Sequence, residues 1–438
     1  MLRFNKNGER GFTLIEVMVS TAILGIFVLS VAGAYLAQEK AAKMEEEVAD
    51  MQQNGRVAAD YIESALRSAG AGITGGQRAT RTSPIEFGIR VPDVLLGLRN
   101  NNQYYMTKGV FGVNDVAVNS LITQPTFIPN SEHPANPTVS DVLTVIYGGM
   151  PFVRLAQKAG NLISNQYFQF TYCASEGNLF QRGDMIIVSN LRNSALYRIT
   201  VAPSLSGSTS PFCRGQYYIL QCQTTEPNRI NNVVTKYRYR DDPTSIFQYQ
   251  EGQGIIFKAY VTQFRMINPA VDTTYWNASD PRPVLMVDNF TPQAANALLF
   301  EPAVPLAENI GTLQLSFGFW VPPVGGNNVP DSTVRPNPNH GGKILVDDFN
   351  FTTIDNASDV RIVQYSVLAR NEKSDYQKEG PSGGTAISGI SESNVLSSGA
   401  KIGSYTLSDK RPGYRWRLYQ GIKSLRNTYG LKDDYNDK

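Results

Sequence analysis

Few of the 438 residues combine side-chain type and spacing in a way that suggests chemistry. The two histidines, His133 and His340, sit among Pro, Asn or Gly in loop-like sequence, and neither has a partner that would make it a general base. The three cysteines, Cys173, Cys213 and Cys222, form no C-x-x-C and no Cys/His cluster. No nucleophile elbow of the G-x-S-x-G type occurs, and the Gly-Asn runs such as "GVNDVAVNS" read as hairpin loops rather than phosphate cradles. Asp347, Asp348, Asn350, Asp355, Asn356 and Asp359 offer oxygen ligands, but without the loop spacing of an EF-hand, so a solvated loop is the better reading. Asn277 and Asn356 begin N-x-S triplets that carry no weight here. These observations point away from an enzyme and imply neither cofactor nor metal. One side chain stands apart. In "RGFTLIEVMVSTAILGIFVLSVAGAYLAQ", residues 10–38, Glu16 precedes a run from Val17 to Gln38 with no charge at all. A carboxylate at membrane depth is expensive and implies a function.

The elements around Glu16 follow from pattern. Phe12 to Ala37 is 26 residues, roughly 39 Å as a helix, enough to span a ~30 Å hydrocarbon core with tilt. Arg3, Lys6 and Arg10 precede it and place the N-terminus in the cytoplasm. A cleaved secretory signal is the rival, since Ala32-Gly33-Ala34 fits a small-residue cleavage site. The apolar stretch before that site is far longer than the ~7–15 residues of such signals, and it contains Glu16.

Residues 38–70 contain no proline and continue the helix. Met44, Val48, Met51, Gly55, Ala58, Ile62, Ala65 and Ala69 alternate at spacings of four and three, marking one apolar face of mostly small residues. Gly70, Gly72, Gly75 and Gly76 end it. Beyond residue 72 the pattern changes to short apolar runs. Strands are predicted at 142–147, 185–189, 197–201, 254–261, 283–287, 313–320 and 360–369. Turn-rich stretches lie at 124–137, 203–211, 322–342 and 374–399, the last a candidate mobile loop.

Composition agrees. Hydrophobic content of 42% and charged content of 18% describe a folded protein, and 37 glycines with 22 tyrosines and 20 phenylalanines favour a turn-rich β architecture. A net charge of +2 with no basic block excludes a nucleic-acid binder. An odd number of cysteines permits at most one internal bridge in an exported domain. Loop closure favours Cys213–Cys222, with eight residues between them, although an extended strand between them would separate them; Cys173 paired to either one is the alternative.

The N-terminal segment "RGFTLIEVMVSTAILGI" resembles the type IV prepilins and the pseudopilins of type II secretion. The resemblance implies a leader, residues 1–11, cut by a prepilin peptidase after Gly11, with methylation of the new terminus at Phe12. It implies that Glu16 pairs with the terminal amine of a neighbouring subunit during assembly, which lowers the cost of a buried carboxylate. Where many major pilins have a helix-kinking proline, this chain has Gly25 and Gly33 as its weak points. "QNGRVAADYIESALRSAGAG", "QRGDMIIVSN", "ENIGTLQLSFGFW" and "YRWRLYQGIKSLRNTYG", which ends near Arg426 and Asn427, further resemble the PilW-type minor pilins.

The expected architecture is α+β and pilin-like. A transmembrane half-helix (12–37) runs into an amphipathic half (38–70) that packs on a large antiparallel β-rich head (71–438), with insertions before residue 310 forming a second lobe. The expected function is a minor pilin that primes or caps a type IV pilus at or near its tip. Its alternatives are a J-type pseudopilin or a pilus-associated adhesin. The implied partners are prepilin peptidase, the major and other minor pilins, the inner-membrane assembly platform and lipid around residues 12–37. The chain would sit in the bacterial inner membrane and then at the cell surface. Replacing Gly11 with Glu should block cleavage, because only glycine leaves the scissile backbone without a side chain. Intact-mass measurement should find a mature chain beginning at Phe12; one beginning after Ala34 would establish a secretory signal instead.

Overall fold

The computed structural model describes residues 13–73, 89–96, 104–114, 127–128, 138–157, 162–163, 167–189, 194–225, 230–231, 252, 254–267, 274–275, 282–294, 297–320, 334–351, 359–370, 401–402, 405–406 and 416–425. One helix, α1 (Leu14–Ser68), is followed by strands. They are β1 (Ile89–Pro92), β2 (Tyr104–Thr107), β3 (Val110–Val113), β4 (Phe127–Ile128), β5 (Thr138–Val139), β6 (Val142–Arg154) and β7 (Leu162–Ile163). Next come β8 (Tyr167–Cys173), β9 (Met185–Ser189), β10 (Ser194–Arg198), β11 (Val201–Ser210), β12 (Gly215–Gln223), β13 (Ile255–Met266) and β14 (Val284–Asp288). The last are β15 (Val304–Glu308), β16 (Ile310–Phe319), β17 (Val360–Arg370), β18 (Lys401–Ile402), β19 (Tyr405–Thr406) and β20 (Trp416–Ser424). The class is α+β, as the sequence predicts. The chain divides into two compact units, Met1–Met51 and Gln52–Lys438.

Within the larger unit, β13 is the spine of a seven-stranded antiparallel sheet. One edge pairs with β6 over almost its whole length, from Ile255 opposite Arg154 to Phe264 opposite Leu143. The other edge is shared, Ile255–Lys258 by β9 and Gln263–Met266 by β14. Strand β10 extends the sheet beyond β9, β15 beyond β14, and β3 beyond β6. A four-stranded sheet runs in the order β11-β12-β8-β7, and a three-stranded sheet in the order β16-β17-β20. The β8/β12 lobe has its own core of Phe168, Phe170, Tyr172, Phe180, Tyr197, Leu220 and Cys222. That core also takes in Val153, Ile186, Val188 and Ile256 from the β13 sheet.

The C-terminal half of α1 buries most of the apolar face read in the sequence, although Met44 at its start is exposed. Gly55, Ala58, Ile62 and Ala69 are buried. Leu66 is buried while Ala65 is half-exposed, so the stripe drifts from the expected positions as a period of 3.6 overtakes a strict alternation of four and three. A Cβ at Gly55 would overlap the ring of Tyr419, which lies across the helix there and donates its hydroxyl to the carbonyl of Gln52 at 3.1 Å. On the next turns Glu63 pairs with Arg67, with Lys423 at 2.6 Å, and accepts from the Tyr365 hydroxyl at 3.3 Å. The Lys423 hydrogen bond leads in holding the Glu63 carboxyl below its usual range. Burial, reinforced by Glu63, pushes the Tyr365 hydroxyl up to about 12. The helix ends at Gly70, φ +74°, whose N–H donates to Ile146 of β6 at 3.0 Å. The Gly148 N–H in turn donates to Ala71 at 2.6 Å, so the chain leaves the helix already joined to the sheet.

Three expectations are corrected. Residues 203–211, read as turn-rich, lie largely in β11, whose Ser, Gly and Pro content suits an exposed edge strand with two register irregularities. The predicted strand 197–201 is divided between the end of β10 and the start of β11. The disulfide joins Cys173 to Cys213, not Cys213 to Cys222. β12 is extended, and nine residues of strand span roughly 30 Å. It carries Cys222 to a place opposite Phe168, while its beginning, Tyr217, faces Cys173. The turn at 211–214 therefore brings Cys213 to Cys173, with a Cα separation of 5.2 Å, and Cys222 is buried in the lobe core outside the bridge. Non-reducing peptide mapping should recover the Cys173–Cys213 link. Cys173→Ser should cost about 2–4 kcal/mol of lobe stability by freeing a loop of this length, measured by denaturant titration.

Candidate functional site

The N-terminus of α1 is a closed hydrogen-bonded unit. Thr13 precedes the first helical residue, and its backbone N–H and its hydroxyl both donate to Glu16 Oε2 at 2.9 Å. The Glu16 N–H returns to Thr13 Oγ1 at 3.3 Å. This is a capping box, in which residues N-cap and N3 satisfy each other's orphan donors. Thr13 is a functional partner of Glu16 that the residue types alone did not single out. The signal was there in "TLIE", the S/T-x-x-E spacing at the start of an apolar run. The negative charge also lies at the positive end of the helix dipole.

Beyond that first turn the helix presents apolar side chains without interruption. Leu14, Ile15, Val17, Met18, Val19, Ile23, Leu24, Ile26, Phe27, Val28, Leu29, Val31, Tyr35 and Leu36 are all exposed. Thr21 and Ser30 donate their hydroxyls to carbonyls one turn back, so even the polar side chains are satisfied within the helix. Among the described residues α1 is the one helix long and apolar enough to cross a membrane. It passes through Gly25 and Gly33 unbroken, and apart from the helix's own neighbouring backbone nothing lies within 4 Å of where a Cβ would stand at either. The surface is built for lipid or for other helices, and a helix is the form in which a single segment can enter lipid.

Gly11, Phe12, His133, Asn277, Asp355, Asn356, Arg426 and Asn427 lie outside the described residues. His340 sits in a turn with its Nδ1 3.1 Å from Asp348 Oδ1. The Lys343 ammonium is 2.8 Å from Asp347 and 3.9 Å from Asp348, so the acidic side chains here meet a cation of the chain itself. No group of three or more His, Cys, Asp or Glu able to hold a metal occurs among the described residues.

Residues 6–32 match the family model described as the prokaryotic N-terminal methylation motif. The chain is prepilin-like. The matched segment contains Gly11, Phe12, Thr13, Glu16 and the first half of the apolar run. Proteins with this motif are structural subunits, and the motif implies processing by prepilin peptidase and assembly with pilin partners. The prepilin-like segment and the apolar helix together fit a membrane-anchored pilin. No curated protein and no solved structure matches the chain.

The capping box yields a test. Thr13→Ala should cost about 1 kcal/mol at the helix terminus, whereas Thr13→Ser should cost little. Amide exchange at residues 14–17 in detergent micelles should accelerate in the first variant and not in the second.

Proposed function

We propose that this chain is a minor pilin of the PilW type that primes or caps assembly of a type IV pilus at or near its tip. The observation that carries the reading is the combination in one chain of a prepilin motif, an exposed apolar helix and a large head. A head of this size would crowd a shaft built from one subunit every ~10 Å along the axis, a spacing of about seven helical residues, and suits a terminal complex. The order of elements supports the PilW resemblance, because β9, β16 and β20 fall on the quoted segments at 181–190, 308–320 and 414–430.

In this reading prepilin peptidase removes residues 1–11, Phe12 is methylated, and residues 12–37 hold the protein in the inner membrane with the N-terminus cytoplasmic. Residues 38–70 and the head, 71–438, lie outside, the β8/β12 lobe being the insertion expected before residue 310. Glu16 then exchanges part of its internal contact with Thr13 for the amine of an incoming subunit. An ion pair in apolar surroundings is far cheaper than a lone carboxylate, so the docking register is set where charge is satisfied. Gly25 and Gly33 let the helix adjust as it leaves the bilayer. The assembly platform and the major and other minor pilins are the partners.

Deleting the gene should sharply reduce surface pili while processed major pilin accumulates in the inner membrane. Glu16→Ala should be cleaved and inserted normally, since loss of the charge only makes the span more apolar, yet fail to restore piliation. Electron-microscopic pilus counts, with and without retraction, provide the measurement. Normal pili with blocked enzyme secretion would make it a J-type pseudopilin, and normal pili with lost surface attachment an adhesin.

A further inference from the structure

We propose that β20, the last strand among the described residues, is a strap that fixes the first docked turns of α1 to the head only after the segments that precede it have emerged. The proposal rests on the topology adopted above, in which the C-terminus crosses the membrane last.

The contacts that hold the start of the docked helix come from the far end of the sequence. Tyr419 of β20 lies over Gly55 and donates to Gln52, 367 residues away. Lys423, also of β20, reaches Glu63 at 2.6 Å. Tyr365 of β17 reaches the same carboxylate across a separation of 302 residues. Its ring can do so because its cross-strand neighbour is Gly421, where a Cβ would overlap the Tyr365 hydroxyl. A bare position on the helix thus receives an aromatic ring from the strand, and a bare position on the strand makes room for the ring beside it. The later turns are anchored independently. Tyr61 packs edge-on against Phe264 of β13 at 5.9 Å, and Gly70 bonds to β6. Turns 52–59 therefore depend on β20 more than turns 60–70 do.

β20 has its own prerequisite. It pairs with β17 from Trp416 opposite Arg370 to Ser424 opposite Ile362, so the strap cannot form before β17 is in place. Contacts of such sequence separation form late. The arrangement makes firm docking of the stalk a property of a chain exported through β20, and a head still lacking that strand would keep a loosely held helix.

The test reads the helix itself in the full-length protein in detergent. Arg56 is exposed and lies within the strapped turns. Tyr419→Ala combined with Lys423→Glu should raise the rate of tryptic cleavage after Arg56 about tenfold, the measure of a local opening made easier. Adding Glu63→Lys to Lys423→Glu should recover part of the protection by restoring an ion pair. A chain stopped before Trp416 should behave like the double variant while keeping the Cys173–Cys213 bridge. An unchanged Arg56 cleavage rate in the full-length double variant would overturn the proposal, whatever the truncated chain does. Failure of the topology would show separately, as protection of the whole head from protease added outside intact spheroplasts.

Discussion

Backbone amides in hydrocarbon have no water to bond, so a single segment enters lipid only as a helix whose ladder is complete. α1 must meet that demand and also dock on a sheet, with no break between the two tasks. The same ladder serves both, and only the side chains change. In the first half apolar side chains point outward on every side; in the second the small residues Gly55, Ala58 and Ala69 share one buried stripe with Met51, Ile62 and Leu66. A stripe of small residues lets the helix axis approach the sheet closely, and the bulk missing from the helix is supplied by Tyr419, Tyr365 and Phe264 from the strands.

The same economy governs charge. The two carboxylates of α1 that matter most, Glu16 and Glu63, are each met by named donors, the first by its own helix terminus and the second by a strand from the other end of the chain. Glu63 is a fixed structural partner. Glu16 is met, among the described residues, by Thr13 three positions away, a contact within a single helical turn.

Much of this was legible in the residues. The span, the amphipathic continuation and the central strands follow from periodicity, and β9 and β17 lie almost where 185–189 and 360–369 were read. The capping box was equally visible in Thr13 and Glu16 but was read as a family signature and not as hydrogen bonding. What escaped had physical reasons. β11 is an edge strand with one paired side, so its sequence carries Ser204, Gly207, Ser208 and Thr209 at exposed positions in place of alternating apolar residues. The cysteine pairing depended on which residues of β8 and β12 face one another, and register is set by tertiary packing, not by distance along the chain. The contacts of Tyr419 and Lys423 join positions more than three hundred residues apart, which no local pattern encodes.

The division of one edge of β13 between β9 and β14 reaches further than topology. An inserted lobe tethered by two loops would open and close as a separate body. Here the lobe core draws Ile256 from β13 and Val153 from β6, while β9 contributes to both the lobe core and the main sheet. The side chains that close the lobe core are thus carried on strands whose backbones belong to the main sheet, so unfolding β9 or the start of β13 would open the lobe core as well.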